Sequence, residues 1–325
     1  MTEVNADKIF AALTRKRKKP VTIVEFANMF NVSPKEVVRH INELKAKGVL
    51  IDVVDDTLQV SHAVEGAPKP VVIDWRKHVE TEIPIGAVAD THLGSKYERL
   101  DVLNALYDRF AAYGVTDVYH GGNMIDGEAP FNRYDIYVRG IEDQVRNFVE
   151  KYPQRDGITT HFVSGDDHEG WYVQREHINI GQVIIDRAAT IGRFDLDHLG
   201  YIERDIEFKQ KRGSRILRVI HAGGGSAYAL SYSSQKYVES LQGGEKPAIV
   251  LVGHFHKFDY SYPREVHVIQ VGCTQDQTPF MRKKRIQAMV GGCVIWLTQN
   301  DLGDFTSVKV EWIPFFDKKF YQYKW

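Results

Sequence analysis

One local pattern recurs five times after residue 83 and constrains the fold more than any other feature: a short apolar run that passes at once into a turn carrying His, Asp, Asn or Gly. Ile85-Gly86-Ala87-Val88-Ala89 runs into Asp90-Thr91-His92, and Val118-Tyr119 into His120-Gly121-Gly122-Asn123. Phe162-Val163 precedes Ser164-Gly165-Asp166-Asp167-His168-Glu169, Val219-Ile220 precedes His221, and Ile249-Val250-Leu251-Val252 precedes Gly253-His254-Phe255-His256. Apolar runs of this length, bounded by Gly and polar residues, read as strands buried on both faces. Amphipathic stretches at 98–113 and 136–151 read as the helices between some of them. In open α/β sheets ligands collect outside the carboxyl ends of the strands, which is where these turns fall.

Mixed imidazole and carboxylate or amide groups suit a borderline divalent ion, Mn²⁺ above all, with Fe²⁺ or Zn²⁺ as alternatives, more than Ca²⁺ or Mg²⁺. Too many such groups converge for one ion, so two divalent metal ions are expected.

In their order along the chain, Asp90-x-His92, Gly122-Asn123-x-x-Asp126, Asp166-Asp167-His168-Glu169, His221 and Gly253-His254-x-His256 resemble the calcineurin-like metallophosphoesterase superfamily. The similarity covers about residues 83–275. Within the superfamily, Asp90-Thr91-His92-Leu93-Gly94-Ser95 looks most like the double-strand-break repair nucleases and the small subunits of archaeal DNA polymerases. The resemblance implies an α/β fold, a four-layer αββα sandwich of two face-to-face sheets with helices outside. It also implies that Asp90, His92 and His256 hold one metal, that Asp167, His221 and His254 hold the other, and that Asn123 lies between the ions. His168 matches the histidine that gives a proton to the leaving group, and Glu169 takes the acidic position beside it, steering the imidazole.

The chain departs from that family twice. The bridging position is normally Asp and is here Asn123, while the block that normally reads Gly-Asn-His is here Asp166-Asp167-His168. Amide and carboxylate have changed places, so the number of ligating carboxylates is unchanged, but a neutral oxygen offsets repulsion between two cations less well. Three explanations compete: a natural variant that works by the exchange, a substitution that inactivates, and a non-catalytic relative. The first two are favoured equally over the third, because His92, His168, His221, His254 and His256 are all present.

A net charge of −1, from 42 basic and 43 acidic residues, speaks against nucleic acid only as an average. Segment 8–47 carries Lys8, Arg15, Lys16, Arg17, Lys18, Lys19, Lys35, Arg39, Lys45 and Lys47 against Glu25, Glu36 and Glu43, a local charge of +7. Two capping boxes, Thr22 with Glu25 and Ser33 with Glu36 behind Pro34, predict two helices separated by a short turn at Phe30–Ser33. The second helix places Val37, Val38, Ile41 and Leu44 on an apolar face and leaves Lys35, Arg39, His40 and Asn42 outside it. Val49–Val54 and Thr57–Val60 then read as a hairpin. This order resembles the winged helix-turn-helix family, which implies Lys35, Arg39, His40 and Asn42 near the bases of DNA and Arg15, Lys16, Arg17, Lys18 and Lys19 near phosphates. The competing reading is a protein-docking module, through which a homodimer or a protein partner would form. The domains expected are a winged helix over 1–62, a linker over 63–82 rich in Gly and Pro at Glu65–Pro70, and a metallophosphoesterase domain over 83–325.

No apolar run approaches the ~20 residues of a membrane span, the first residues lack a signal-peptide pattern, and the two cysteines, Cys273 and Cys293, read as buried thiols of a cytoplasmic protein. Two close divalent ions can clamp a phosphate, generate hydroxide at neutral pH and stabilise both oxygens of an in-line displacement. The leading expectation is therefore a metal-dependent phosphodiesterase acting on DNA. The alternatives are a phosphomonoesterase or protein phosphatase, and a DNA-binding protein whose metal site Asn123 has weakened. Trp171 and Arg175, just past the acid motif, are candidates for substrate contact through base stacking. Arg282-Lys283-Lys284-Arg285 is either a nucleic-acid track or a solvated loop.

Overall fold

The structure is a computed structural model that describes residues 8–9, 21–46, 51–54, 57–60, 69–176, 178–225, 227–244 and 246–315. It divides into two compact units, Met1–Lys69 and Pro70–Trp325.

In the first unit, β1 (Val21–Thr22) leads into α1 (Ile23–Phe30) and α2 (Pro34–Ala46), followed by β2 (Ile51–Val54) and β3 (Thr57–Val60). The strands form one antiparallel sheet in the order β1-β3-β2. Of the two capping boxes expected, the one at Thr22 is complete and the one at Ser33 shows its serine half. Thr22 Oγ1 accepts from the Glu25 N–H while Glu25 Oε2 accepts from the Thr22 N–H, and Ser33 Oγ accepts from the Glu36 N–H at 3.2 Å. Such caps are worth about 1 kcal/mol each, enough to fix where a short helix starts.

The buried face of α2 differs from the expected one. Val37, His40, Ile41 and Leu44 are buried and Val38 is 40% exposed. Positions 37, 40, 41 and 44 follow the i, i+3, i+4, i+7 spacing of a single helical face, whereas Val38 lies a further 100° round the axis. His40 is thus withdrawn from solvent, its Nδ1 2.9 Å from Glu43 Oε2 and its Nε2 3.3 Å from an Arg39 nitrogen. Lys35, Arg39 and Asn42 are exposed, with Arg39 3.7 Å from Glu36 and 3.9 Å from Glu43. Arg15 to Lys19 lie outside the described residues.

The second unit begins within the segment read as linker. β4 (Val71–Asp74) pairs in parallel with β9 (Glu203–Lys209), because Val71 and Ile73 alternate with residues turned outward and complete a sheet edge. Its further elements are β5 (Glu82–Val88), α3 (Leu100–Ala112), β6 (Asp117–His120), α4 (Ile141–Lys151), β7 (Thr159–Ser164), α5 (Gly170–Glu176), α6 (Ile180–Thr190) and β8 (Leu196–Tyr201). After β9 come β10 (Ser214–His221), α7 (Tyr232–Ser240), β11 (Ile249–Gly253), β12 (Phe258–Ser261), β13 (His267–Val271), α8 (Pro279–Lys284), β14 (Gly291–Gln299) and β15 (Phe305–Pro314).

Two six-stranded sheets result, ordered β15-β14-β5-β6-β7-β8 and β12-β13-β11-β10-β9-β4. Ile85, Ala87, Cys293 and Ile295 of the first meet Phe208, Leu217, Val219 and Leu251 of the second in a shared core. On the outer face of the first sheet lie α3, α4 and α6. They bury Leu103, Leu106, Phe110, Phe148 and Ile184 against Val88, Val118 and Phe162. Each such side chain contributes about 1.5–3 kcal/mol by leaving water. Val238 of α7 covers the outer face of the second sheet at Val250, Val252 and Val268. The architecture is a four-layer αββα sandwich.

This layering positions the candidate site. β5, β6 and β7 run parallel in one sheet, and β10 and β11 run parallel in the other. The ends of β6 and β11 touch backbone to backbone, since a Cβ on Gly253 would stand 2.1 Å from the Gly121 carbonyl oxygen. Only glycine allows that approach, and it brings the ligand-bearing turns of the two sheets together. Both cysteines are free and buried, as expected. No helix among the described residues is long and apolar enough to cross a membrane.

Candidate metal centre

Every one of the five turns delivers its side chains to the same place. Asp90, His92 and His256 bring one ligand atom each within 4.8 Å of one another, and so do Asp167, His221 and His254. His92 Nε2 and His256 Nε2 are 3.2 Å apart and lie 3.8 and 3.5 Å from Asp90 Oδ1. His221 Nε2 stands 3.2 Å from Asp167 Oδ1 and His254 Nδ1 3.3 Å from Asp167 Oδ2.

Hydrogen bonds on the far side of three of the rings fix which nitrogen faces inward, while His256 Nδ1 is buried with no partner. His221 Nδ1–H donates to the Gly121 carbonyl at 2.8 Å, and His254 Nε2–H donates to the Gly224 carbonyl at 2.7 Å. His92 Nδ1 is held at 2.9 Å by Asp126 Oδ1. In these three rings the inward nitrogen faces carboxylate oxygen, an arrangement that suits a cation between them. Burial opposes ionisation of Asp167, but the neighbouring His168, His221 and His254 outweigh it and hold the carboxyl far below the usual range. Asp90 behaves alike through His256 and His92. Without metal, protons supply the charge: burial works against the His221 imidazolium, yet Asp167 and Asp90 raise its pKa to about 9.

Asn123 joins the two groups. Its Nδ2 donates weakly to Asp90 Oδ1 at 3.4 Å, and its Oδ1 is buried with no hydrogen-bond partner. That oxygen faces the His221 side, because a Cβ added to Gly165 would sit 2.4 Å from Asn123 Oδ1 and 3.0 Å from His221 Nε2. A buried carbonyl oxygen left unpaired is costly unless a ligand takes its lone pairs. The donor set thus fits two divalent ions: imidazole, carboxylate and one amide oxygen.

The backbone is held in strain here. Asp90, His92, Asn123, His254 and His256 all have positive φ, between 47° and 85°. Such conformations cost of order ~1–3 kcal/mol each in non-glycine residues and cluster at functional sites. Ladders between turns sustain them: Asp90 N–H donates to Gly122 O, His92 N–H to Asn123 O, and the Thr274 N–H to Asp90 O. His120, which burial depresses to a pKa of about 3, is neutral. It accepts from the Gly122 N–H at 3.1 Å and lies 3.2 Å from Thr91 Oγ1, tying the first two turns together.

The partner of His168 is Asp126, not Glu169. His168 Nδ1 lies 3.1 Å from Asp126 Oδ1 and 2.9 Å from the Asp126 carbonyl. Burial disfavours the imidazolium, but Asp126 and Asp167 prevail and raise the His168 pKa to about 10. The Glu169 carboxylate turns away from the ring and accepts four backbone N–H groups, from Asn123, Met124, Ile125 and Gly165, at 2.7–3.2 Å. It shapes the turns that carry Asn123 and Asp167. Asp126 stood visible in the Gly122-Asn123-x-x-Asp126 block, but neighbourhood in sequence pointed to Glu169.

A cavity of about 520 Å³ opens over the site, lined by Asp167, His168, His254 and His256 and by Phe131, Phe280 and Lys284. Phe131 meets the His168 ring edge-on at 5.1 Å and the Phe280 ring at 5.6 Å. Nothing in the sequence signals these two phenylalanines, which come from distant segments. Gly224 and Gly225 also line the cavity, and the exposed run Arg282–Arg285 brings Lys284 to its rim. Trp171 and Arg175 line a second cavity of about 670 Å³ and are not among the residues lining the metal-site cavity.

No protein-family model matches the chain, and no curated protein does. Solved structures are similar in fold. A structure described as a novel archaeal phosphodiesterase shares 12% identity over 71% of this chain and 100% of its own, with a TM-score of 0.39. Wild-type Vps29 complexed with zinc from Entamoeba histolytica shares 16% over 71% of this chain and 99% of its own, at 0.35. GAP50 of Plasmodium, the anchor in the inner membrane complex, shares 14% over 72% of this chain and 84% of its own, at 0.40.

Proposed function

We propose that the chain is a two-metal phosphodiesterase acting on DNA. One observation carries the reading: two imidazole–carboxylate triads, Asp90–His92–His256 and Asp167–His221–His254, meet at the strand ends beside an unpaired Asn123 oxygen. Asp90, His92 and His256 would hold one ion, and Asp167, His221 and His254 the other, with Asn123 Oδ1 at the inner side. When bound, the ions supply Lewis-acid polarisation of the phosphate and a nucleophile at neutral pH.

The protein's own groups do the rest. His168, protonated well above neutral pH and held at Nδ1 by Asp126, presents Nε2–H to the leaving oxygen. The new O–H bond forms as the P–O bond breaks, and the imidazole is left neutral with Nδ1–H still held. Protonation of this kind matters most for alkoxide leaving groups, as in a sugar–phosphate chain. Phe131, Phe280 and Lys284 make a cavity wall with two rings and one cation. The basic segment 8–47 supports DNA as the polymer, because local charge rather than net charge draws phosphates.

The test is a comparison of bis-p-nitrophenyl phosphate with p-nitrophenyl phosphate in Mn²⁺ and in chelator. Preference for the diester, abolished by chelator, supports the reading. Preference for the monoester would make the chain a phosphomonoesterase, and salt-sensitive DNA binding without hydrolysis would make it a binding protein.

A further inference from the structure

The second cavity lies behind the loop 127–140, and that loop also walls the metal site. Phe131 and Asn132 face the metal cavity, whereas Glu128, Ala129, Pro130, Arg133 and Tyr134 line the second. Helix α5 closes its other side with Trp171 and Arg175. α5 follows directly on the turn that carries His168, since the Trp171 N–H donates to the His168 carbonyl.

The chemistry of this cavity is that of an anion with a flat face. Glu128 is already engaged, 3.5 Å from Arg139 and accepting from the Gly140 N–H. Arg133 is exposed and has no carboxylate within ion-pair reach among the described residues. The Trp171 indole N–H is buried and has no acceptor. Tyr134, also on the lining of this cavity, is 83% exposed, which leaves its ring open to a flat ligand. A guanidinium without an ion-pair partner and the rings of Tyr134 and Trp171 are what successive nucleotides of a single strand engage: phosphate on the cation, base on the ring.

We propose that this cavity is a subsite for the unpaired strand one or more nucleotides beyond the scissile phosphate, so that the preferred substrate is a single-stranded oligonucleotide longer than a dinucleotide. The proposal rests on the phosphodiesterase reading for its catalytic consequence and not for binding. Asn132 and Arg133 are adjacent in the chain but face different cavities, so a strand crossing the loop reaches from one to the other.

Binding is read on the full chain in chelator, with 4-thiothymidine oligonucleotides of two to eight residues photo-crosslinked and mapped by mass spectrometry. Adducts on Tyr134 or Trp171 that grow with length are expected, and Arg133→Ala should weaken them. Turnover is read in Mn²⁺ with the same lengths. Arg133→Ala and Tyr134→Ala should leave bis-p-nitrophenyl phosphate hydrolysis unchanged and raise KM for the octamer, Tyr134→Ala about tenfold, the size of one lost base contact. Crosslinks confined to other peptides, or KM independent of both length and variant, overturn the subsite while diester hydrolysis leaves the activity standing. Length-dependent crosslinks without any hydrolysis would keep the subsite and remove the activity.

Discussion

Asp126 holds the His168 ring from two sides, with Oδ1 3.1 Å and its own carbonyl 2.9 Å from Nδ1, and the same Oδ1 lies 2.9 Å from Nδ1 of His92. One carboxylate therefore orients both the His92 and His168 rings, the ligand and the proton donor of the proposed reaction. Asp126→Asn should lower the His168 pKa, cut turnover of poor-leaving-group diesters and weaken metal affinity by about 10–100-fold, the size seen when a ligand's outer partner is lost. Calorimetric Mn²⁺ titration and steady-state kinetics read the two effects. Unchanged affinity with unchanged kcat would free Asp126 of both roles.

His168→Ala separates the acid from the metals. Mn²⁺ binding should persist, and turnover should fall by ~10²–10⁴ on diesters with alkoxide leaving groups, less on p-nitrophenyl esters that leave unaided. Equal losses on both substrates would mean that His168 does not protonate the leaving group.

Glu169 is assigned to architecture. Glu169→Gln keeps the volume but replaces a carboxylate that accepts four N–H groups with an amide that accepts at one end. The two N–H groups stranded at the amide end cost roughly 1–3 kcal/mol each, so thermal unfolding should come several degrees lower. An unchanged midpoint with altered acid-limb kinetics would return Glu169 to the chemistry.

Asn123→Asp adds a carboxylate where one buried amide oxygen now faces the His221 side. Mn²⁺ should bind more tightly and the second ion should gain most, because charge between two cations offsets their repulsion. If activity rises with affinity, the present residue weakens the centre; if affinity rises and activity does not, the amide–carboxylate exchange works as it stands.

Away from the site, His161 bridges Asp117 and Asp197, each at 2.9 Å, across three neighbouring strands. Burial disfavours its charge, but the two carboxylates raise its pKa to about 9 from 6.5. A folded-state pKa above the unfolded one means that the stabilisation is complete below about pH 6.5 and is lost as pH climbs through 9. Urea midpoints should fall over that window, and His161→Gln should flatten the fall. A parallel pH profile in the variant would assign the loss to other groups.

These outcomes follow how much the sequence could disclose. The convergence of Asp90, His92, Asn123, Asp167, His221, His254 and His256 was legible because each sits on or within four residues of a strand end, and strands show as apolar runs. The pairing of Asp126 with His168 was not legible because contact across a fold depends on which turn lies over which, and the ladder from His92 N–H to Asn123 O decides that. On α2, His40 and Val38 exchanged places because a two-residue difference along a helix is half a turn in angle. β4 hid inside a Gly- and Pro-marked stretch, as four residues are too few for alternation to stand out. Phe131 and Phe280 meet only through tertiary packing, which no local pattern encodes.

The central claim is hydrolysis of DNA at the centre formed by Asp90, His92, Asn123, Asp167, His221, His254 and His256. End-labelled single- and double-stranded DNA, incubated with the full chain and its Asn123→Asp form in Mn²⁺, Mg²⁺ and chelator, tests it most directly. The account predicts shortened labelled products in Mn²⁺ and none in chelator. Intact DNA from both forms in every metal would contradict it.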